Sequence, residues 1–330
     1  MLLLARELRG LTLNEAAELL CISPSYVNKL ERDAQAVNEE LMQKMEKKFN
    51  LPASFFYQPG EILPSLLNYR KRENVSAKDL NVIEATINMY RLGIEKLFDQ
   101  FNVQATRLPA FLKEPEEAAQ ELKRSWRIAK GPVENMTALL EKHGITVVTF
   151  DYPTERVDGK SVLTKDGHSI VFINSLSQGD RQRFTLAYQL GHLVMHTTGN
   201  SFDRDVSHEA NVFAAEFLMP EKEIRKDFEE GITVPVLAKL KKKWKVSMIS
   251  LLYRAHDLQI ITDNQKRYIE QQFNQLKIRR REPVELDIPR EKPVLLRALI
   301  TEFKQKKRMT IKEMASFFNL TEEEFTQRYN

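Results

Sequence analysis

Strand-like segments occupy only a short stretch in the middle of this 330-residue chain. Residues 145–150, 161–164 and 169–173 are rich in β-branched and aromatic residues, and Asp166-Gly167 forms a hairpin turn between the last two. Helical periodicity accounts for most of the remainder. The sequence therefore predicts a mainly α protein with a small α+β domain in its middle.

Composition and charge limit the class of protein. The 42% apolar content is enough for a buried core, yet the longest apolar run, at residues 1–5, falls far below the roughly 20 residues of a membrane span. The single cysteine excludes an intrachain disulfide and fits a reducing compartment. The net charge of +4 permits nucleic acid as a partner without requiring it. We expect a cytoplasmic protein with no membrane partner.

Capping signals near the N-terminus predict two short helices joined by a tight turn. Thr12 and Glu15 form the capping box of one helix, while Ser23 caps the next and Pro24 occupies its first turn. This is the pattern of a helix-turn-helix, whose second helix enters the major groove of DNA. The alternative is a small helical bundle for protein contacts, because residues 1–57 carry eight acidic against seven basic residues.

The second helix of this pair is the candidate for reading DNA. Val27 and Leu30 occupy its core side, and polar side chains suited to bases and phosphates occupy the other side. Asparagine pairs with adenine, lysine and arginine pair with guanine or phosphate, and serine pairs with either. The predicted DNA-binding residues are Ser23, Ser25, Tyr26, Asn28, Lys29 and Arg32.

Two stretches of this region resemble the XRE family of DNA-binding domains, the family of the phage Cro and repressor proteins. They are residues 4–12, Leu-Ala-Arg-Glu-Leu-Arg-Gly-Leu-Thr, and residues 23–31, Ser-Pro-Ser-Tyr-Val-Asn-Lys-Leu-Glu. That family usually has glutamine after the capping threonine, where it contacts phosphate, whereas this chain has Leu13. The resemblance implies an operator in double-stranded DNA as the partner and a homodimer as the binding form.

The C-terminal segment repeats the same spacing of caps. Thr310 and Glu313 reproduce the N-terminal capping box, and a second cap follows at Thr321. This predicts a helix-turn-helix-like unit at residues 310–329. Its second helix begins with three glutamates at residues 322–324, which a phosphate backbone would repel. We expect this unit to pack in the core or to contact a partner rather than to read DNA.

The segment from Tyr188 to His196 has the spacing of a zinc peptidase helix without all of its residue types. Such a helix carries two ligand histidines at i and i+4, and a glutamate base after the first of them. Here Tyr188 stands at the first ligand position, Gln189 at the base position and His192 at the second ligand position. His192 and His196 form another i, i+4 pair, but no glutamate follows His192 to act as the base.

These residues, together with a second helix from Glu209 to Pro220, resemble the ImmA/IrrE family of zincin-like metallopeptidase domains. In active members the first segment supplies two histidine ligands and the glutamate base, and the second supplies a carboxylate ligand. The resemblance implies that His192 matches the second ligand and Glu209 the third. Gln189 cannot accept a proton as glutamate does, and Tyr188 would ligate a metal only as a phenolate.

We therefore predict no catalytic residue and no metal or other cofactor in this domain. Tyr188, Gln189, His192 and Glu209 are expected to form a hydrogen-bonded polar cluster in an inherited pocket. The alternative is zinc, held weakly by His192 and Glu209, because a catalytic zinc site needs three protein ligands and a structural one needs four.

Proline, glycine and helix-cap residues divide the chain into four predicted regions. Residues 1–60 form the XRE-type domain, residues 61–104 a linker and long spacer helix, and residues 105–262 the ImmA/IrrE-like domain. Residues 263–330 form a helical C-terminal region. Surplus positive charge is grouped in three basic runs, each predicted to be a solvated face or an additional phosphate contact. These runs are residues 70–72, 239–245 and 277–281.

Together these features predict a sequence-specific DNA-binding transcription regulator of bacterial or phage type that acts as a homodimer. Its ImmA/IrrE-like domain is expected to be catalytically inactive and to serve sensing, dimerisation or partner binding, with a small-molecule effector or a protein as its ligand. Two other classes stay open. One is a residual zinc metallopeptidase that cleaves a regulator, and the other is an antitoxin-like or immunity-type binding protein.

Overall fold

A computed structural model describes residues 1–63, 69–71, 74–197 and 204–329 of the chain. Parts of three predicted features lie outside these residues. They are residues 64–68 and 72–73 of the linker, residues 198–203 of the middle domain, and the last residue of the C-terminal region. Arg72, which belongs to the first basic run, is one of these residues.

The N-terminal head, defined as residues 1–57, is a bundle of five short helices. The capping box of Thr12 and Glu15 is confirmed, and Ser23 Oγ accepts a hydrogen bond from the Tyr26 amide at the start of the third helix. Pro24 occupies the first turn of that helix, where its missing N–H needs no partner. The five helices are α1 (Leu2–Leu8), α2 (Leu13–Leu20), α3 (Pro24–Glu31), α4 (Glu39–Phe49) and α5 (Ala53–Tyr57).

A long helix, α6 (Ala77–Phe101), follows the head and begins at the cap Ser76, within the region predicted to be a linker and long spacer helix. Helix α1 packs directly against it. The contact is close, because a methyl group added to Gly10 would lie 3.3 Å from Val82 Cγ2. The head is therefore packed on α6 rather than tethered to it.

A four-stranded sheet lies in the middle of the chain, with the strand order β1-β3-β4-β2. Strands β3 and β4 form the predicted antiparallel hairpin, in which Gly167 adopts a φ of +86°, and β2 is parallel to β4. Strand β3 begins at Val157, four residues earlier than predicted, because its first residues pair with the short strand β1, which the sequence did not predict. The strands are β1 (Arg70–Lys71), β2 (Ile145–Phe150), β3 (Val157–Leu163) and β4 (Ser169–Asn174).

Helices account for nearly all the remaining regular structure. None of the described helices has the length and apolar character needed to cross a bilayer. Eight belong to the middle of the chain: α7 (Pro115–Ser125), α8 (Met136–Lys142), α9 (Gly179–Met195), α10 (Val206–Leu218), α11 (Glu221–Asp227), α12 (Val234–Trp244), α13 (Met248–Asp257) and α14 (Asp263–Gln275). Three close the chain after a short 3-10 turn at Val284–Leu286: α15 (Leu295–Lys307), α16 (Ile311–Phe317) and α17 (Glu322–Tyr329).

The sheet separates two apolar cores, because alternate residues of a strand face opposite sides. Phe172 and Ile170 face a first core that also contains the head, α6 and the helices α15–α17. Val171 and Val147 face a second core, which contains α7–α14. The predicted region 263–330 is thus shared, since α14 packs in the second core and α15–α17 pack in the first.

The C-terminal unit repeats the N-terminal cap geometry, since Thr310 and Glu313 form the predicted capping box. The unit packs on α6, where a methyl group added to Gly93 would approach Phe318 Cδ1 to 2.7 Å. Two of its three glutamates contact the head: Glu323 accepts a hydrogen bond of 3.4 Å from Asn50 Nδ2, and Glu324 forms an ion pair of 2.7 Å with Arg9. These contacts confirm the packing role expected for this unit.

The basic run 239–245 differs from the prediction at its centre. Lys241 is only 1% exposed and lies between two buried carboxylates, Asp180 and Glu282. Burial by itself lowers the pKa of Lys241, but the hydrogen bonds to the two carboxylates outweigh it and raise that pKa. Because it is buried and paired with two acids, Lys241 is neither a solvated charge nor a phosphate contact. The sequence did not indicate this, since the two acids lie in distant parts of the chain.

Replacing Lys241 with alanine should destabilise the protein by about 3–5 kcal/mol, because it leaves two buried carboxylates without their cation. Lys242→Ala is the matched control, since Lys242 is exposed on the same helix and should change stability by no more than about 0.5 kcal/mol. Urea denaturation of the two variants measures both effects. Equal midpoints for the two variants would show that the buried ion cluster contributes nothing.

Candidate functional site

Helix α3 presents to solvent the polar side predicted to read DNA. Val27 and Leu30 are buried in the first core, as expected for the opposite side of the helix. Tyr26 and Asn28 are partly exposed. The exposed members of the predicted set are Ser23, Ser25, Lys29 and Arg32.

A partly buried ion pair fixes the position of α3 in the head. Arg6 on α1 donates from Nε to Glu31 Oε1 at 2.5 Å, and from Nη1 to the Leu11 carbonyl at 2.9 Å. Glu31 is the last residue of α3, so one guanidinium joins the end of this helix to α1 and to the segment before α2. Sequence reasoning missed this pair because its members are 25 positions apart.

The second candidate site lies on α9, where Gln189 occupies the position of a peptidase base. Gln189 is fully buried. Its Oε1 accepts a hydrogen bond from Ser161 Oγ at 2.8 Å, and its Nε2 donates to the Gly159 carbonyl at 3.1 Å. Both partners belong to β3, so the amide uses a donor and an acceptor to hold α9 against the sheet. A carboxylate lacks the donor that the Gly159 carbonyl requires.

Tyr188 lies beside Gln189 at the position of the first ligand and is nearly completely buried. Its hydroxyl shares a hydrogen bond with Ser207, and the Arg70 guanidinium carbon lies 5.8 Å from the centre of its ring. Burial raises the pKa of Tyr188 despite these two contacts. The phenolate that a metal requires is therefore disfavoured here.

The other two predicted residues are connected through His196. His192 Nδ1 and His196 Nδ1 are 2.9 Å apart, and His196 Nε2 lies 2.9 Å from Glu209 Oε2. Glu209 also accepts a hydrogen bond of 2.8 Å from Arg204 Nε. Although burial opposes it, the bonds from Arg204 and His196 lower the pKa of Glu209, so this residue is a carboxylate.

The proton positions of this chain follow from the donors and acceptors. Burial lowers the pKa of His192 to about 3 and also lowers that of His196, so both rings are neutral. Because Glu209 only accepts, His196 carries its proton on Nε2 and accepts at Nδ1. His192 then donates from Nδ1, which leaves a bare lone pair on His192 Nε2. That atom is buried and has no hydrogen-bond partner among the residues that the structure describes.

The donor set does not fit a zinc site. Tyr188 is a neutral phenol, and Glu209 is held by His196 and Arg204 rather than facing His192. In the parts of the chain that the structure describes, no group of three histidine, cysteine or acidic side chains is arranged to hold a metal ion. The structure therefore brings His192 and Glu209 into one hydrogen-bonded chain through His196, while Tyr188 contacts His192 only ring to ring.

Comparison with known proteins gives a family match for the N-terminal head and another for the middle domain. Residues 2–56 match the helix-turn-helix family, and residues 140–256 match the peptidase M78 family, described as an IrrE N-terminal-like domain. The radiation response metalloprotease IrrE of Deinococcus radiodurans is 36% identical over 99 residues. That similarity covers 26% of this chain and 30% of the relative, so the chain spans less than a third of the relative's length.

The protein thus combines a helix-turn-helix domain of the XRE type with an IrrE-like domain of the M78 family. The first match supports double-stranded DNA as a binding partner. The second match, over residues 140–256, is to a family of zinc-metallopeptidase-like domains.

Restoring the carboxylate by Gln189→Glu should destabilise the protein by about 1–3 kcal/mol at neutral pH, because the Gly159 carbonyl loses its donor in a buried position. Gln271→Glu, on an exposed position of α14, is the control and should stay within about 0.5 kcal/mol of the native chain. Thermal or urea unfolding measures the difference. An unchanged stability of Gln189→Glu would contradict the structural role given to the amide.

Proposed function

We propose that the protein is a sequence-specific transcription regulator that binds operator DNA through α3. The main support for this proposal is that Ser25, Lys29 and Arg32 are exposed on one side of a capped helix whose other side is buried. Lys29 and Arg32 form no ion pair with the described residues, so their charges are available to DNA, whereas Arg6 and Arg9 are paired with acids.

The IrrE-like domain serves this regulator without peptidase activity. Its would-be base, Gln189, has no basic oxygen and is tied to β3 through both ends of its amide. General-base catalysis typically contributes a factor of 10²–10⁴, which a chain with Tyr188 and Gln189 at these positions lacks. The name of the Deinococcus relative describes a metalloprotease, and the two substitutions are the reason not to extend that activity to this chain.

DNA binding by this head calls for two copies. The head carries eight acidic against seven basic residues, so phosphate attraction contributes little to a single copy. Helix-turn-helix proteins commonly bind as dimers to half-sites one helical turn apart, which doubles the number of base contacts. We infer a homodimer on a two-fold symmetric operator.

Selection from a pool of random duplex DNA tests the proposal on the full chain. The proposal expects an enriched sequence with two related half-sites about 10 base pairs apart. Binding without enrichment of any sequence, or no binding, would reject a sequence-specific regulator and favour a protein-binding role for the head.

Lys29→Ala should weaken binding to the selected site by about 1–3 kcal/mol, or about 5- to 150-fold, and relax the preference at one position. Lys222→Ala removes the same charge from an exposed position of α11 and should leave the DNA affinity unchanged. Gel-shift titration at one fixed salt concentration compares the two variants. Equal losses in both would mean that only net charge matters and that α3 does not read the sequence.

A further inference from the structure

Helix α15 carries a surplus of positive charge that lies outside the three basic runs. From Leu295 to its cap Arg308 the helix has five basic residues and one acidic residue. This excess of four equals the net charge of +4 of the whole chain. The five cations form no ion pair with the described residues, whereas four of the five lysines in the run 239–245 are paired with acids.

Three of these cations lie in a row on one side of the helix. Arg297, Lys304 and Arg308 are separated by seven and four positions, spacings that bring residues to the same side of a helix. The α15 row, defined as these three residues, is about 16 Å long at 1.5 Å per residue. Arg297 and Arg308 are exposed and Lys304 is partly exposed. The row therefore presents three unpaired charges along three turns of helix.

The stability of the helix does not explain the whole row. The helix dipole favours cations near the C-terminus, which accounts for Lys304 and Arg308. Arg297 lies in the first turn of α15, where the same dipole disfavours a positive charge, and that turn contains no acidic residue. The position of Arg297 thus favours an anionic partner outside the chain.

A groove of about 440 Å³ runs beside the α15 row, between α15 and α17. All three cations line it, and none of the described acidic residues does. Of the apolar residues that line it, Ile300, Phe325 and Tyr329 are at most 6% exposed, and only Met309 is more accessible. The groove thus offers charge but little apolar surface. An amphipathic helix of a protein partner needs an apolar surface, whereas a phosphate backbone needs cations.

The groove lies one short helix away from the DNA-binding head. Helix α17 has eight residues and is therefore about 12 Å long. At its start Glu323 contacts Asn50 and Glu324 contacts Arg9 of the head, and at its end Tyr329 lines the groove. Because these head residues are not on α3, a duplex held by α3 would meet the row outside the base pairs that α3 reads.

We propose that the α15 row is a second DNA-binding surface, which contacts phosphates of the duplex that flank the half-site read by α3. This inference rests on the proposed DNA-binding function. It assigns the phosphate attraction that the slightly acidic head lacks to a helix of the C-terminal region. Base reading and phosphate attraction are then separate, because α3 determines which sequence is bound and the row determines how steeply binding depends on salt.

Neutralising the α15 row tests the proposal on the full chain. The triple variant Arg297→Gln, Lys304→Gln and Arg308→Gln should lower the slope of log affinity against log salt concentration by about 2.7 for each bound chain, because each phosphate contact contributes about 0.9. The sequence preference should stay the same. Gel-shift titration of the selected duplex over a series of salt concentrations measures the slope. An unchanged slope would overturn the proposal and leave the row to an acidic protein segment.

A second triple variant controls for net charge. It combines Lys142→Gln, Lys222→Gln and Lys226→Gln, which remove the same charge from exposed lysines that form no ion pair with the described residues. The slope of this control should equal that of the native chain, and an equal reduction in both triple variants would overturn the proposal.

A single substitution guards against an effect of misfolding. Arg297→Gln removes a cation from a position that the helix dipole disfavours, so the urea midpoint of this variant should not fall below that of the native chain. Its slope should still decrease by about 0.9 for each bound chain. A native slope in this stably folded variant would exclude Arg297 from the proposed surface.

The length of the duplex separates the flanks from the half-site. On a duplex that extends about 15 base pairs, or about 50 Å, beyond each half-site, the row triple should show the reduced slope. On a duplex cut at the ends of the half-sites, it should match the native chain. A reduced slope on both duplexes would contradict the contact with the flanks. Failure of the native chain to select any sequence would instead reject the proposed function.

Discussion

Helix α6 packs against three separate parts of the chain and sets their positions. This helix is buried along most of its length, and no single neighbouring segment covers it. The head covers it near Val82, the sheet reaches it through the stacking of Phe150 on Tyr90, and the C-terminal unit covers it at Gly93. Parts of the chain that are far apart in sequence thus complete one core. A DNA-binding head and an IrrE-like domain are held in contact because they share this helix.

Within the IrrE-like domain, hydrogen bonds engage the side chains at the positions where a zinc peptidase has its ligands and base. A metal would hold two histidines and a carboxylate through their lone pairs. Here Gln189 is bound to β3, Tyr188 is a buried phenol, and Glu209 reaches His192 only through His196. These contacts satisfy polar groups that burial would otherwise penalise, and they leave His192 Nε2 buried without a hydrogen-bond partner among the described residues.

Local signals in the sequence were enough to predict the fold class, the helix-turn-helix and its caps, because capping boxes and turns depend on neighbouring residues. The same holds for the hairpin around Gly167. The residues of the candidate pocket were also identified by their spacing, but their connections were not. The contact of His196 with Glu209, the hydrogen bond between Gln189 and Ser161 and the burial of Lys241 all depend on partners at least 13 positions away. The helical spacing places Lys241 on the buried side of α12 with Leu237 and Trp244, but it does not reveal the two acids that pair with it.

We propose that Tyr188 and Gln189 keep zinc out of the pocket of this peptidase-like domain. Zinc titration of the native chain beside the double variant Tyr188→His/Gln189→Glu examines this. We expect no stoichiometric zinc binding by the native chain and a gain of binding in the variant. One zinc bound tightly per native chain, and lost in His192→Leu, would contradict it.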